Sequence, residues 1–144
     1  MTLYADSSFL ISLHGNDMNA GRARKFMALQ LEPLPFNPLH RLEVRNGLRL
    51  AVFRGEMTVD ERAAALRQIE EDVEDGVFVH QAIPWTEAMR KAEQLSAAHA
   101  ERIGSRAADT LHVAAALLAG ARQFLSFDKR QRDLAGMAGL NVKP

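Results

Sequence analysis

The stretch Tyr4-Ala5-Asp6-Ser7-Ser8-Phe9-Leu10 runs from a short apolar segment into an acid and two hydroxyls, then resumes at once with apolar residues at helical spacing. Residues 2–5 are too few and too near the terminus for a helix, so they read as a strand, and Ser7 or Ser8 then caps a helix beginning near Phe9. Asp6 falls at the carboxyl end of that strand. In an open parallel sheet this end faces the crevice where ligands bind, and a carboxylate beside a helix N-terminus is favoured in its ionised form. By itself, Asp6 needs no more explanation than capping. Its meaning depends on where the chain's other acids fall.

The 144 residues fit a single domain spanning 1–144, and 47% hydrophobic with 25% charged residues is the composition of a globular chain that can bury a core. No apolar run approaches the roughly 18 residues that span a bilayer, and the N-terminus has no basic start or apolar signal core, so a cytoplasmic protein with no membrane partner is expected. There is no cysteine, which removes disulfides, thiol catalysis and thiolate metal sites and leaves oxygen and imidazole as the available ligands. Eighteen basic and eighteen acidic residues cancel, so no overall positive field holds a long nucleic acid. The distribution is uneven: residues 1–54 carry 7 Lys/Arg against 4 Asp/Glu, residues 55–104 carry 5 against 11, and residues 105–144 carry 6 against 3. Both ends are basic and the middle is acidic.

Along the chain, Asn16 or Asn19 opens a helix over 20–29. Leu34-Pro35-Phe36 is extended, and Asn37-Pro38 is an N-cap with proline in the first turn, opening a helix to about Phe53. On it Glu43 shares a side with Leu39, Gly47 and Leu50, so its carboxylate needs a cation, donors or a proton, and Gly47 would let another backbone come close. Arg41, Arg45 and Arg49 form an i, i+4, i+8 stripe nearly opposite, open to solvent, phosphates or a partner. Thr58 and Glu61 have capping-box spacing for a helix to about Asp75, whose acidic second half faces solvent or docks on basic groups. After Gly76, residues 77–83 read as a strand, and Thr86 caps a helix to about Ile103 with Trp85 packing near its start. Residues 106–119 form a helix apolar nearly all round, with Asp109 in its first turn, suited to a cap or a metal site. Residues 123–127 form a strand that again ends in an acid, Asp128, before a polar helix and a final edge strand at 140–142.

Alternation of strands and helices predicts an α/β fold with a parallel sheet. Asp6 and Asp128 then share one edge, at strand carboxyl ends. If Glu43 and Asp109 converge on them, four carboxylates repel one another, and a divalent cation with oxygen ligands, Mg²⁺ or Mn²⁺, stabilises them. One or two such ions would activate water and hold the attacking and leaving oxygens of a phosphodiester.

Asp6-Ser7-Ser8, Glu43, Arg106-Ala107-Ala108-Asp109-Thr110-Leu111-His112 and Ser126-Phe127-Asp128, in this order over nearly the whole chain, resemble a PIN domain, and the chain length resembles the VapC-type ribonuclease toxins of toxin-antitoxin pairs. The resemblance implies a Rossmann-like fold with a central parallel sheet of four to five strands flanked by helices. It further implies Mg²⁺- or Mn²⁺-dependent endoribonuclease activity on an RNA substrate, a homodimer and a cognate antitoxin. Asp6, Glu43, Asp109 and Asp128 match the acidic quartet as catalytic and metal-binding residues, and Ser8 and Ser126 match supporting hydroxyls. One departure is the helix Lys129-Arg130-Gln131-Arg132-Asp133-Leu134, which lacks the aromatic often found there.

Other readings differ on particular residues. A haloacid-dehalogenase phosphatase needs a second Asp where this chain has Ser8, and a receiver domain needs an acidic pair at one strand end. A zinc hydrolase is disfavoured because His14, His40, His80, His99 and His112 include no i, i+4 pair. A non-toxin PIN nuclease of RNA processing, or an inactive PIN scaffold that binds a partner, shares the same motifs.

Overall fold

The computed structural model describes residues 2–144, and the chain forms two compact units. One comprises the chain up to Asp6 together with Ala82–Pro144, and the other comprises Ser7–Gln81. Five strands are present, β1 (Leu3–Ala5), β2 (Leu34–Phe36), β3 (Phe78–His80), β4 (Gln123–Leu125) and β5 (Asn141–Lys143), and every pairing among the described residues is parallel. The parallel α/β expectation holds, with the strands hydrogen-bonded as a ladder of three in the first unit and of two in the second. No helix among the described residues is long and apolar enough to cross a membrane.

In the first unit the order is β1-β4-β5, with Ala5 opposite Leu125 and Leu125 opposite Lys143. Its helices are α5 (Trp85–Leu95), α6 (Glu101–Ile103), α7 (Ala107–Leu118) and α8 (Lys129–Met137). Small residues at Ala92, Ala114, Ala115 and Ala116 let α5 and α7 pack closely around Tyr4, Phe124 and Leu134. Tyr4 and Phe124 are fully buried and stack at 5.7 Å, each ring contributing about 2 kcal/mol or more by leaving water. The run from α5 to Ile103 differs from expectation. Thr86 lies inside α5, because the chain enters the helix through Pro84, whose carbonyl takes the first helical bond from Ala88 N–H at 2.9 Å. The run to Ile103 also contains a π turn at Ser96–Ala100.

The second unit holds α1 (Ser7–His14), α2 (Ala20–Ala28), α3 (Pro38–Phe53) and α4 (Val59–Glu74) with β2 and β3. Phe36 stacks on Phe78 across the two strands at 5.1 Å, and Leu10, Leu48 and Ile69 are buried with them. The Asn37 and Thr58 caps form as expected, the first accepting from Leu39 and His40 N–H, the second sharing a reciprocal box with Glu61. At α2 the expected Asn cap is replaced: Asn19 makes no side-chain cap, and the Asp17 carboxylate takes Asn19 N–H instead, at 2.9 Å. The strand expected over 77–83 shrinks to three residues because its partner is short. β2 is closed by the Asn37 cap, so pairing ends where Gln81 N–H reaches Phe36 O. Gly76 ends α4 with φ of 76°, a conformation that needs no side chain.

Candidate active site

Asp6 leaves β1 at its carboxyl end and is 4% exposed. Its N–H continues the β1–β4 ladder to Leu125 O at 3.0 Å, which fixes its backbone against the end of β4. One residue beyond, the fully buried Ser126 donates its hydroxyl to Asp6 Oδ2 at 2.6 Å and accepts Asp128 N–H at 3.1 Å. A bond this short to an ionised oxygen is charge-assisted. Ser126 therefore ties the side chain of the first acid to the backbone of the last, at the carboxyl ends of two adjacent parallel strands.

Asp128 is also the N-cap of α8, its Oδ1 accepting Gln131 N–H at 3.0 Å. Asp109 lies in the first turn of α7, where its Oδ2 accepts Arg106 N–H at 2.9 Å. This is half of a capping box, which Arg106, having no acceptor, cannot reciprocate. The Arg106 guanidinium stands 3.6 Å from the same carboxylate and is largely exposed, so the ion pair adds little stability. One turn on, His112 Nδ1 meets Tyr4 Oη at 2.9 Å inside the core, a link between α7 and β1.

Glu43, in the second unit, is half-buried and accepts the Ser7 hydroxyl at 2.9 Å. Two expectations change here. The buried side of α3 is His40, Val44 and Leu48 rather than the line through Leu50, which is exposed, so Glu43 lies at the margin of the core where a carboxylate can be hydrated. Helix α1 begins at Ser7 directly after Asp6, so neither Ser7 nor Ser8 precedes the helix as its cap, and the Ser7 hydroxyl turns instead to Glu43. What comes close to Gly47 is the Ile11 side chain, not a backbone; a Cβ there would meet its Cδ1. The acidic end of α4 docks on bases: Glu70 Oε1 takes Arg41 and Arg45 at 2.8 Å each, and Asp72 takes His14 at 2.9 Å.

Carboxylates with serine hydroxyls make the oxygen donor set of a hard divalent cation, so the residues fit such an ion in kind. As placed, each acid is met by the chain's own donors, and among the described residues no three His, Asp or Glu side chains stand together as a metal cage. Sequence reasoning missed Ser7 and also Gln131, whose side-chain amide is buried with no hydrogen-bond partner among the described residues, one turn into α8. A polar side chain in a helix facing the core has no sequence signature.

The sequence profile of the PIN domain matches residues 3–137. Among solved structures, the chain is similar to VapC20 of Mycobacterium tuberculosis, described as a sarcin-ricin loop cleaving toxin, with a TM-score of 0.69 and 18% identity over 99% of both chains. PAE2754 of Pyrobaculum aerophilum matches with a TM-score of 0.64 and 20% identity over 99% of this chain and 89% of that one. FitAcB of Neisseria gonorrhoeae matches with a TM-score of 0.66 and 15% identity over 99% and 96%. No curated protein sequence matches the chain.

Proposed function

The chain belongs to the PIN domain family, and from that membership we propose that it is a Mg²⁺- or Mn²⁺-dependent endoribonuclease, the toxin of a toxin-antitoxin pair, active in the cytoplasm as a homodimer and inhibited by a cognate antitoxin. The observation that carries the reading is Ser126, whose one buried hydroxyl orients Asp6 and anchors Asp128 at adjoining strand ends. Such a bond is expected where a carboxylate must be aimed rather than merely solvated. The likeness in fold to VapC20 and FitAcB accords with the toxin reading.

In this proposal Asp6, Glu43, Asp109 and Asp128 act as one set and would hold the ion. When bound, a divalent ion supplies an activated water and charge stabilisation on the phosphodiester. The chain's own residues do the remainder. The Ser126 hydroxyl orients Asp6 and the Ser7 hydroxyl orients Glu43, with Ser8 as a further supporting hydroxyl of the proposed set. The exposed Arg106 and Arg130 offer guanidinium groups to RNA phosphates beside Asp109 and Asp128; the Arg130 side chain lies near Gly104, two residues before Arg106. An antitoxin side chain of Arg or Lys would neutralise the same carboxylates and compete with the ion.

An inactive scaffold that binds a partner draws support from the capping roles of Asp109 and Asp128. The test is cleavage of single-stranded RNA by the purified chain. Cleavage that stops in chelator and returns with Mg²⁺ or Mn²⁺ supports the nuclease. Undiminished cleavage in chelator refutes the metal dependence, and no cleavage under any condition favours the scaffold.

A further inference from the structure

We propose that Arg132 is a positioning residue of the acidic site, acting through Ser126 on the orientation of Asp6 and Asp128. Its effect on cleavage rests on the nuclease reading, whereas the contacts that carry it lie wholly within one compact unit.

Ser126 is fully buried, and its polar groups are held from different directions. Its N–H donates to Lys143 O at 3.0 Å, carrying the β4–β5 pairing one residue past the strand, and its hydroxyl joins the Asp6 carboxylate to Asp128 N–H. Its carbonyl is met from α8, where Arg132 Nη1 donates to Ser126 O at 2.8 Å and to Pro144 O at 3.0 Å. One guanidinium nitrogen thus clamps the turn after β4 to the residue that follows β5. Side chains on a helix lean toward its N-terminus, which lets residue 132 reach back six positions. The Arg132 backbone N–H meanwhile donates to Asp128 O at 2.9 Å. The same residue therefore grips both ends of Ser126-Phe127-Asp128, the first carbonyl through its side chain and the last through its backbone.

Helix polarity alone argues against a cation at this position. Arg132 is the fourth residue of α8, at the positive end of the helix dipole, and the neighbouring Asp133 pairs with Lys129 at 2.8 Å instead. What holds the guanidinium is a pair of carbonyl oxygens. A charge-assisted bond to Ser126 O fixes the peptide plane between Ser126 and Phe127. With the Ser126 N–H already fixed on β5, that plane sets the direction in which the hydroxyl leaves the chain. The hydroxyl lies 2.6 Å from Asp6 Oδ2, so a small rotation of the plane changes the aim of both acids. Arg130 is exposed and open to RNA phosphates, but Arg132 is half-buried and spends its donors on the protein.

Arg132→Met and Arg132→Lys are compared with wild type in two assays. Amide hydrogen exchange, followed by NMR without metal or RNA, reads the Asp128 N–H that Ser126 Oγ accepts. Arg132→Met should exchange this amide about tenfold faster than wild type while the Leu134 amide inside α8 stays within about twofold. Arg132→Lys keeps a cationic donor and should recover most of the protection. In RNA cleavage with Mn²⁺, Arg132→Met should lower kcat about tenfold or more with KM within about twofold, because misaimed acids impair the chemistry and leave strand binding intact. If Arg132→Met does not fold, Arg132→Gln carries the same comparison. Unchanged Asp128 exchange, equal acceleration throughout α8, or a raised KM at wild-type kcat overturns the proposal, the last assigning Arg132 to RNA phosphates. A wild-type chain that cleaves no RNA refutes the nuclease reading, and the exchange assay then decides the positioning by itself.

Discussion

Replacing Ser126 by alanine removes one oxygen and two hydrogen bonds. The first, at 2.6 Å, goes to the carboxylate of Asp6, which is 4% exposed; the second, at 3.1 Å, satisfies Asp128 N–H. A bond to a charged group contributes about 1.5–3 kcal/mol and a neutral one about 1 kcal/mol, so Ser126→Ala should cost about 2–4 kcal/mol. For a chain of this length each kcal/mol lowers melting by about 3 °C, which predicts a fall of roughly 6–12 °C in scanning calorimetry. The charged share can be isolated in a double-mutant cycle. In an Asp6→Asn background the hydroxyl faces a neutral amide oxygen, so the cost of Ser126→Ala should shrink by about 1 kcal/mol or more. Melting within about 2 °C of wild type, or an equal loss in both backgrounds, would refute the view that Ser126 holds an ionised Asp6 in place.

Asp109→Asn should leave stability within about 0.5 kcal/mol, because an amide oxygen can still accept Arg106 N–H, while RNA cleavage falls about a hundredfold or more; urea titration and cleavage rates on one preparation check both. Tyr4→Phe breaks the buried bond to His112 and should cost about 1 kcal/mol in urea denaturation, with no change in the far-ultraviolet spectrum. The Thr58 backbone N–H, and then the Thr58 hydroxyl, hold the Glu61 carboxyl below its ordinary value of 4.5. A depressed folded value means the stabilisation is complete above 4.5 and lost as pH falls through the folded value. Glu61→Gln should therefore melt below wild type at neutral pH, and the gap should close in acid; a gap that persists unchanged there contradicts the assignment.

Where structure follows from neighbouring residues, the sequence was legible. Asn37-Pro38 and Thr58-x-x-Glu61 satisfy their own helix ends, so those starts needed no knowledge of the fold. The acids at Asp6 and Asp128 were readable because each ends an apolar run that can only be a strand. The bounds that shifted depend on partners distant in sequence. β3 is limited by the length of β2, Ser7 turns to Glu43 from 36 residues away, and the α2 opening is met by Asp17 rather than by the expected Asn. Glu43 shows the same limit at the site. Its helix was legible, but its place beside the buried stripe depends on which side of α3 packs, and Val44 and Leu48 decided that.

The proposed function rests on Asp6, Glu43, Asp109 and Asp128 all contributing to divalent-metal binding, although as placed no three of the described acids or histidines form a cage. Isothermal titration of Mn²⁺ into the wild-type chain and into Glu43→Gln tests it most directly, because Glu43 belongs to a different compact unit from the other three acids. The account predicts saturable binding that weakens about tenfold or more when Glu43 loses its charge. Wild-type affinity retained in Glu43→Gln, or no binding by the wild-type chain, would contradict it.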